Sequence, residues 1–433
     1  MNRRRTTPAV FFAPLMTLCA SGAPALLGCA GAASGGGSAP PPSRSRDAIT
    51  PAAVVSPEAH ADGRVTLRLR APHAESVLVL VEGSAPAPMN EQDGVWTITT
   101  APLAPDWYGY SFVVDGVSIA DPANPALKPG LLGAQSMLHV VGPAPMPWDV
   151  ADVPHGVVHR HFYRSAVAGD DRDFYVYTPP GYEDAPRRRY PVLYLLHGFS
   201  DDASAWTAVG RANVIVDNAI ANGKAEPMIV VMPLGYGAPE ILAGGFAGFS
   251  RDAALRRRNF ERFRQALVGE VVPRVEAAYR VDADRDAHAI AGLSMGGTES
   301  LVVGLNEPDR FAWIGAFSSG GLGDDLDADF PLVGVGSAGR SGPRAARPWR
   351  LLWISCGTDD KLIADHRRLT GWLRAKGAEH VAEESGGGHT WMVWRRNLVD
   401  FAALLFRRGA APADPAIPAK GRPGPNTVDA GQP

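Results

Sequence analysis

Apolar and polar positions follow a period of two over the first part of the chain, between about residues 52 and 142. This alternation is typical of strands that bury one face. It occurs at Val65–Leu69, Val77–Val81, Val95–Ile98 and Tyr108–Val114. Turn residues such as Asp115 and Gly116 separate these short segments. Strands at this spacing predict a small β-sandwich over residues 51–143.

The pattern changes between residues 150 and 410, where continuous apolar runs alternate with segments of helical periodicity. Buried strands are predicted at Tyr190–Leu196, Met228–Met232, Ala287–Ala291, Trp313–Phe317 and Leu351–Ser355. Helices are predicted at Arg211–Ala221, Phe260–Ala278, Thr298–Asn306, Asp365–Ala375 and Trp391–Phe406. Such alternation predicts an α/β domain with a mostly parallel sheet and helices on both faces. Functional residues are expected at the carboxyl ends of its strands.

The first residues have the composition of a targeting segment. Basic residues at Arg3–Arg5 precede a largely apolar stretch from Pro8 to Leu27, as in secretory signal peptides. Residues Leu26–Cys29 resemble a bacterial lipobox, in which the cysteine becomes the acylated first residue of the mature protein. We therefore expect a lipoprotein signal peptide over residues 1–29 and an exported protein that meets the membrane only through lipid on Cys29. Ordinary secretion after cleavage near Ala30–Ala32 is the alternative.

Composition and charge indicate how the ends of the chain are organised and which partners and cofactors are expected. Residues 30–50 and 411–433 are rich in Gly, Ser, Ala and Pro, which predicts a flexible tether and a disordered tail. The net charge of −3 does not indicate a nucleic-acid partner. Cleavage at Cys29 would leave Cys356 as a free thiol, so no intramolecular disulfide is expected. The sequence has no H-E-x-x-H, Cys/His cluster or P-loop, so neither a metal nor a nucleotide cofactor is expected.

The pentapeptide Gly292–Gly296 fits the pattern G-x-S-x-G. A predicted strand precedes it and a predicted helix follows it, which is the arrangement of the nucleophile elbow in α/β-hydrolases. At such an elbow the serine has a strained backbone, and side chains two residues to either side would collide. We therefore predict an α/β-hydrolase domain with Ser294 as nucleophile, preceded by the β-sandwich.

A serine nucleophile needs a base, and the base needs an acid to orient it; both follow the serine in this fold. Of the downstream histidines, His366 lies in a polar helical stretch and is expected on the surface, and His380 precedes a further predicted strand. His389 lies in a glycine-rich loop before the last helix and is the predicted base. Asp359 and Asp360 both follow a predicted strand, and their positions alone do not distinguish the acid.

Stabilising an oxyanion requires two backbone N–H donors. Met295, directly after the nucleophile, is predicted to supply one, and Phe199, in the loop after an early strand, is predicted to supply the other. His197 is interpreted as a structural residue of this loop because it precedes Ser294 in the chain. Trp206 and Trp391 are candidates for an aromatic acyl pocket, with core packing as the alternative.

Several motifs resemble the esterase group around carbohydrate esterase family 1, which includes feruloyl and acetylxylan esterases, enterochelin esterases and mycolyltransferases. The matching motifs are Tyr177–Tyr182, Tyr190–Gly198, Ile229–Pro233, Gly292–Gly297, Cys356–Asp360 and Gly387–Trp391. The resemblance implies that Asp360 is the acid. Residues Trp107–Gly116, followed by Asp121–Pro125, are similar to immunoglobulin-like modules related to carbohydrate-binding module family 48. Sandwich aromatics such as Trp107 and Tyr110 are interpreted as core residues, with sugar stacking as the alternative.

The resemblance implies a serine carboxylic-ester hydrolase that acts on feruloyl or acetyl esters of plant-wall polysaccharide. A siderophore of the enterochelin type, or another small-molecule ester, is the alternative substrate. A non-catalytic glycan-binding surface lipoprotein is an alternative from another class. The order Ser294, Asp360, His389 argues against that last alternative, because a binding module does not need a complete triad.

Overall fold

The computed structural model describes residues 53–334 and 349–407. The predicted signal peptide with Cys29, the predicted tether over residues 30–50 and the predicted tail over residues 411–433 all lie outside the described residues. Within the described ranges, no helix has both the length and the apolar character that crossing a bilayer requires.

The first region of the described chain consists of two antiparallel sheets. One has the strand order β1-β2-β6-β5, and the other has the order β4-β3-β7-β10-β9 with β8 beside β7. The strands are β1 (Glu58–Ala59), β2 (Val65–Arg70), β3 (Val77–Val81), β4 (Ala87–Pro88), β5 (Asn90–Gln92), β6 (Val95–Thr99), β7 (Asp106–Val114), β8 (Val117–Ile119), β9 (Leu127–Lys128) and β10 (Gln135–Val140). Alternate residues of both sheets, such as Leu67, Val79 and Phe112, share one core, as the period-two pattern requires.

The aromatic side chains of this region are used in packing. Trp96, Tyr108 and Tyr110 are buried in the shared core. The Trp107 ring stacks on His139 at a centroid distance of 4.3 Å, and the Arg211 guanidinium lies 4.6 Å from its centroid. These contacts support the interpretation of the four aromatics as structural residues.

The second region contains one eight-stranded sheet with the order β11-β12-β14-β13-β15-β16-β17-β18. The strands β11 and β12 pair antiparallel with each other, β12 pairs antiparallel with β14, and the remaining pairs are parallel. The strands are β11 (Val157–Arg164), β12 (Asp171–Thr178), β13 (Val192–Leu196), β14 (Ile229–Pro233), β15 (His288–Leu293), β16 (Trp313–Phe317), β17 (Leu351–Gly357) and β18 (Val381–Ser385).

Helices cover both faces of this sheet because its central strands bury both sets of side chains. Tyr194 and Leu196 of β13 pack into one core with α4, α5, α6 and α8, whereas Leu193 and Leu195 pack into the opposite core with α2 and α9. The helices are α1 (Ala205–Ala208), α2 (Ala212–Ala221), α3 (Gly245–Arg251), α4 (Ala253–Ala266), α5 (Val272–Ala278), α6 (Met295–Asn306), α7 (Leu326–Asp329), α8 (Ile363–Ala375) and α9 (Trp391–Leu404). The predicted α/β fold, with a β-rich region before it, is confirmed.

Two features differ from the expectations. The strands β11 and β12 were not predicted. The edge strand β11 alternates exposed and half-buried residues, and β12 begins with the charged residues Asp171–Asp173, so neither is a continuous apolar run. The helix predicted over Phe260–Ala278 is divided into α4 and α5 by a π-helical turn at Leu267–Val271. Such a turn widens the helix locally without breaking its apolar face, so the periodicity did not reveal it.

A buried ion pair joins the N-terminal sheets to α9. The guanidinium of Arg395 is fully buried and donates from Nη2 to Asp106 Oδ1 over 2.8 Å. Its Nη1 donates to the carbonyl of Val209 over 2.9 Å. Burial raises the pKa of Asp106, and the charge of Arg395 opposes that rise. A buried charge is tolerated only when it is paired and hydrogen-bonded, so each region satisfies a charge of the other.

Replacing Arg395 with Met is therefore expected to destabilise the protein by about 3–5 kcal/mol, because it leaves the buried Asp106 carboxylate without its partner. Urea denaturation followed by tryptophan fluorescence measures the loss. Arg64→Met, which removes an exposed pair with Asp62, is the matched control and should cost less than about 1 kcal/mol. Equal losses in the two variants would show that the buried pair has no special role.

Candidate active site

The candidate nucleophile lies at the turn between β15 and α6. Ser294 has φ 52° and ψ −115°, a strained conformation for a residue with a side chain. A Cβ on Gly292 would lie 2.4 Å from the carbonyl oxygen of Gly296, and a Cβ on Gly296 would lie 2.4 Å from that of His197. Only glycine fits at these two positions, which explains physically why the pattern G-x-S-x-G occurs here.

The structure brings together the three residues that were expected to form a triad. His389 Nε2 lies 3.0 Å from Ser294 Oγ, and His389 Nδ1 lies 2.8 Å from Asp360 Oδ2. Asp360 follows β17 and is buried, whereas Asp359 is exposed. The geometry therefore agrees with the choice of Asp360 that the resemblance implied. About a quarter of the His389 side chain remains exposed, at 24%, so its ring is accessible from the solvent.

The environment of Asp360 favours its ionised form. Burial alone raises the pKa of this carboxyl, but hydrogen bonding and the charge of His389, together with the Leu362 N–H, outweigh burial and hold the pKa below its usual value. Leu362 N–H donates to Asp360 Oδ1 over 2.9 Å. An ionised carboxylate on Nδ1 selects the tautomer of His389 whose Nε2 is free to accept a proton from Ser294.

The loop that follows β13 lies against the nucleophile. A Cβ placed on Gly198 would be 3.4 Å from Ser294 Cβ, so this backbone runs directly beside the serine. Phe199 comes next, and its ring packs on Phe249 at 4.6 Å between centroids. Met295, whose side chain is fully buried, begins α6. The two backbone segments that were expected to donate to an oxyanion therefore flank Ser294.

His197 holds this loop without touching Ser294 Oγ among the described contacts. Its Nδ1 donates to the Gly198 carbonyl over 2.8 Å, and its Nε2 accepts from the Gly235 N–H over 2.9 Å. Because Nε2 accepts an N–H, the ring is neutral with its proton on Nδ1, and burial, which lowers the pKa of His197, favours the same form. Both nitrogens serve the backbone, in agreement with the interpretation of His197 as a structural residue.

The two candidate pocket tryptophans follow the alternative of core packing, and His366 differs from its expected position. Trp206 and Trp391 are each 1% exposed and pack edge to face at 5.1 Å between centroids. Trp206 Nε1 also donates to the Leu196 carbonyl. Both rings therefore lie in the core and do not line a cleft. His366 was expected on the surface, but it is one of the buried residues of α8 and is 4% exposed. The type of a residue and its distance from a motif in the sequence do not reveal whether its side chain is buried.

Two buried carboxyl groups near the site were not predicted from the sequence. Glu299 on α6 is fully buried, accepts from Asn259 Nδ2 over 3.3 Å, and has a pKa well above its usual value because of burial. Asp201 lies two residues after Phe199, and burial raises its pKa to about 7 against the charge of Lys128. An acidic residue inside an otherwise apolar helical face was the available signal for Glu299. Within residues 53–334 and 349–407, no group of His, Cys, Asp or Glu has the arrangement of a metal site.

The raised pKa of Asp201 predicts a pH-dependent stability. The folded-state pKa lies above the ordinary value of 3.8, so the favourable contribution is complete below that value and is lost as the pH rises towards 7. Relative to wild type, Asp201→Asn should gain about 3 kcal/mol more stability at pH 8 than at pH 5. Urea midpoints at both pH values measure this, with exposed Asp152→Asn as control. A gain independent of pH would contradict the buried titration.

The sheet order and the serine elbow define this protein as an α/β-hydrolase. A family model described as "Putative esterase" matches residues 165–405, which include the elbow, Asp360 and His389. The chain belongs to this esterase family. The matched region is a carboxylic ester hydrolase domain, in agreement with relatives that are named feruloyl esterase and acetyl esterase.

Two curated relatives carry such names. An endo-1,4-β-xylanase/feruloyl esterase of Xylanibacter ruminicola is 30% identical over 363 residues, which cover 81% of this chain and 46% of that protein. An acetyl esterase of Caldicellulosiruptor saccharolyticus is 24% identical over 250 residues, which cover 50% of this chain and 84% of that protein. The chain spans about half the length of the first curated relatives that it matches.

Solved structures show a similar fold. A ferulic acid esterase of Anaeromyces mucronatus aligns with TM-score 0.51 and 22% identity over 61% of this chain and 96% of that one. An enterobactin esterase of Shigella flexneri aligns with TM-score 0.57 and 21% identity over 78% of this chain and 92% of that one. At these identities the likeness concerns the fold alone.

Proposed function

We propose that this protein is a serine carboxylic-ester hydrolase that works through an acyl-enzyme. The observation that carries the proposal is the hydrogen-bonded chain from Ser294 through His389 to Asp360, with distances of 3.0 and 2.8 Å. A hydroxyl becomes nucleophilic at neutral pH only when a base stands within hydrogen-bond reach and a third group orients that base. The positions of His389 and Asp360 beside Ser294 support this proposal.

In the proposed reaction Ser294 Oγ attacks the ester carbonyl while His389 Nε2 takes its proton. Asp360 stabilises the resulting imidazolium, and the N–H groups of Phe199 and Met295 stabilise the oxyanion. The tetrahedral intermediate collapses, and His389 protonates the leaving alcohol. Water then attacks the acyl-enzyme by the same route in reverse, which releases the acid and restores Ser294.

The proposed substrates are feruloyl or acetyl esters on plant-wall polysaccharide. The names of the two relatives support this choice, since one carries xylanase and feruloyl esterase functions and the other is an acetyl esterase. The partly exposed His389 also supports it, because an ester that projects from a polymer needs a site open to solvent.

Ser294→Ala is expected to reduce kcat on p-nitrophenyl acetate at least about a thousandfold, because it removes the only atom that forms the acyl bond. Spectrophotometric assay of nitrophenol release measures the loss. Ser118→Ala, at an exposed strand position in the N-terminal sheets, is the matched control. Equal activity in the Ser294 variant and wild type would refute the mechanism.

The substrate proposal is tested with the wild type and Ser294→Ala. Each protein is incubated with methyl ferulate, acetylated xylan or a cyclic siderophore ester, and chromatography measures the acid that is released. Hydrolysis of methyl ferulate or release of acetate from xylan, absent in Ser294→Ala, is the expected result. Activity confined to p-nitrophenyl acetate, or a marked preference for the siderophore ester, would overturn the plant-wall assignment.

Export and lipid attachment are part of the proposal. The lipobox-like Leu26–Cys29 supports acylation of Cys29 after signal cleavage. Growth of an expressing bacterium with an alkyne-labelled fatty acid should label the wild-type protein but not Cys29→Ala, while Cys19→Ala is labelled normally. Labelling of Cys29→Ala at the wild-type level would contradict attachment at this residue.

A further inference from the structure

A carboxylate from the N-terminal sheets lies at the start of the helix that follows His389. Glu82 directly follows β3, and its Oε1 accepts from the Trp391 N–H over 2.7 Å. Its Oε2 accepts from the Gly109 N–H in β7 over 3.0 Å. One side chain thus joins a sandwich strand to the first residue of α9. His389, the proposed base, is only two residues before that contact.

The first turn of α9 depends on this contact because its own residues do not cap it. Thr390 occupies the position where a side-chain oxygen usually accepts a helix N–H, yet within the described residues it makes no such hydrogen bond. Glu82 provides the acceptor instead, and a carboxylate is the favoured group at the positive end of a helix. A Cβ on the next residue, Gly83, would lie 3.1 Å from Met392 Cε, so the chain that follows β3 packs directly on α9.

A second contact from the same sheets reaches the oxyanion loop. The N–H of Leu131 donates to the Ser200 carbonyl over 2.7 Å. Ser200 follows Phe199 and has a left-handed φ of 76°, which is strained for serine. A Cβ on Gly130 would lie 2.8 Å from the Gly133 carbonyl oxygen and 3.1 Å from the Ser200 carbonyl oxygen, so the sandwich backbone lies in close contact with this loop.

We propose that the N-terminal sheets position the catalytic groups, with Glu82 as the positioning residue for His389 and the Gly130–Leu131 backbone as the support for the Phe199 loop. This inference rests on the proposed hydrolase function. A misplacement of about 1 Å in a reacting group costs up to about a hundredfold in rate, so a cap at the helix behind the base has catalytic consequences. The Arg395–Asp106 pair, one turn further along α9, keeps the helix body attached when Glu82 is replaced.

Replacing Glu82 with Ala or Gln tests this role against Glu75→Gln, which changes an exposed glutamate in the loop between β2 and β3. Glu82→Ala should lower kcat on p-nitrophenyl acetate about 10- to 100-fold with KM within about twofold, because the base is displaced while the acyl site persists. Glu82→Gln should lose less, since its amide oxygen can still accept one of the two N–H groups. Glu75→Gln should match wild type.

A second readout separates positioning from ester hydrolysis. Phenylmethanesulfonyl fluoride reacts when Ser294 Oγ forms a bond to sulfur, fluoride leaves, and the hydroxyl proton passes through His389 to solvent. Its inactivation rate should fall in Glu82→Ala by the same factor as kcat, while thermal unfolding shows that the variant is folded at the assay temperature. A purely structural role would lower the folded fraction and leave the sulfonylation rate of the folded protein unchanged.

Gly130→Ala keeps every hydrogen-bonding group, and its Cβ presses on two carbonyl oxygens, that of Gly133 at 2.8 Å in its own turn and that of Ser200 at 3.1 Å. It should lower kcat, whereas Gly371→Ala, whose Cβ would meet nothing within 4 Å, should not. Wild-type kcat and sulfonylation rate in folded Glu82→Ala would overturn the inference and leave the proposed hydrolase intact. A wild type that sulfonylates at Ser294 but hydrolyses no ester would refute the proposed function, while the sulfonylation rates would still test the role of Glu82.

Discussion

Three backbone segments approach one another so closely at the elbow that no side chain fits between them. The pairing of Leu196 with Gly292 in neighbouring parallel strands sets the register. It brings the His197 carbonyl to within 2.4 Å of a Cβ on Gly296. The nucleophile, the first turn of α6 and the loop with Phe199 therefore share one fixed spacing. Packing on both faces of the sheet holds that spacing, because a buried parallel strand cannot shift without opening two cores.

The proposed base, His389, is held by a different set of interactions. His389 lies on a loop between an edge strand and the last helix, and it meets the serine only through side-chain hydrogen bonds. Asp360 orients the ring from one side, and Glu82 and Asp106 hold the helix beyond it from the other. The site thus combines a rigidly held Ser294, the proposed nucleophile, with a proposed base, His389, whose place depends on polar contacts between two regions of the chain.

Continuous apolar runs predicted the central strands well, since β16 has the predicted bounds and β15 differs by a few residues. The elbow was predictable because steric conflict restricts its glycines. The choice between Asp359 and Asp360 was not predictable from position, since a one-residue shift at a strand end decides which carboxyl turns inward. Trp206, Trp391 and His366 show the same limit, because burial depends on packing between distant segments. Glu82 is separated from Trp391 by more than three hundred residues, and no local pattern links them.

The buried Arg395 also limits how the two regions can evolve. Its guanidinium has no solvent access and depends on a carboxylate contributed by the N-terminal sheets. In a relative that carried another module in place of those sheets, this charge would be exposed to solvent or buried without a partner. Such a relative must either supply an acidic residue at the same place or carry an apolar residue instead of the arginine. Covariation at this pair of positions is therefore the expected trace of a shared interior.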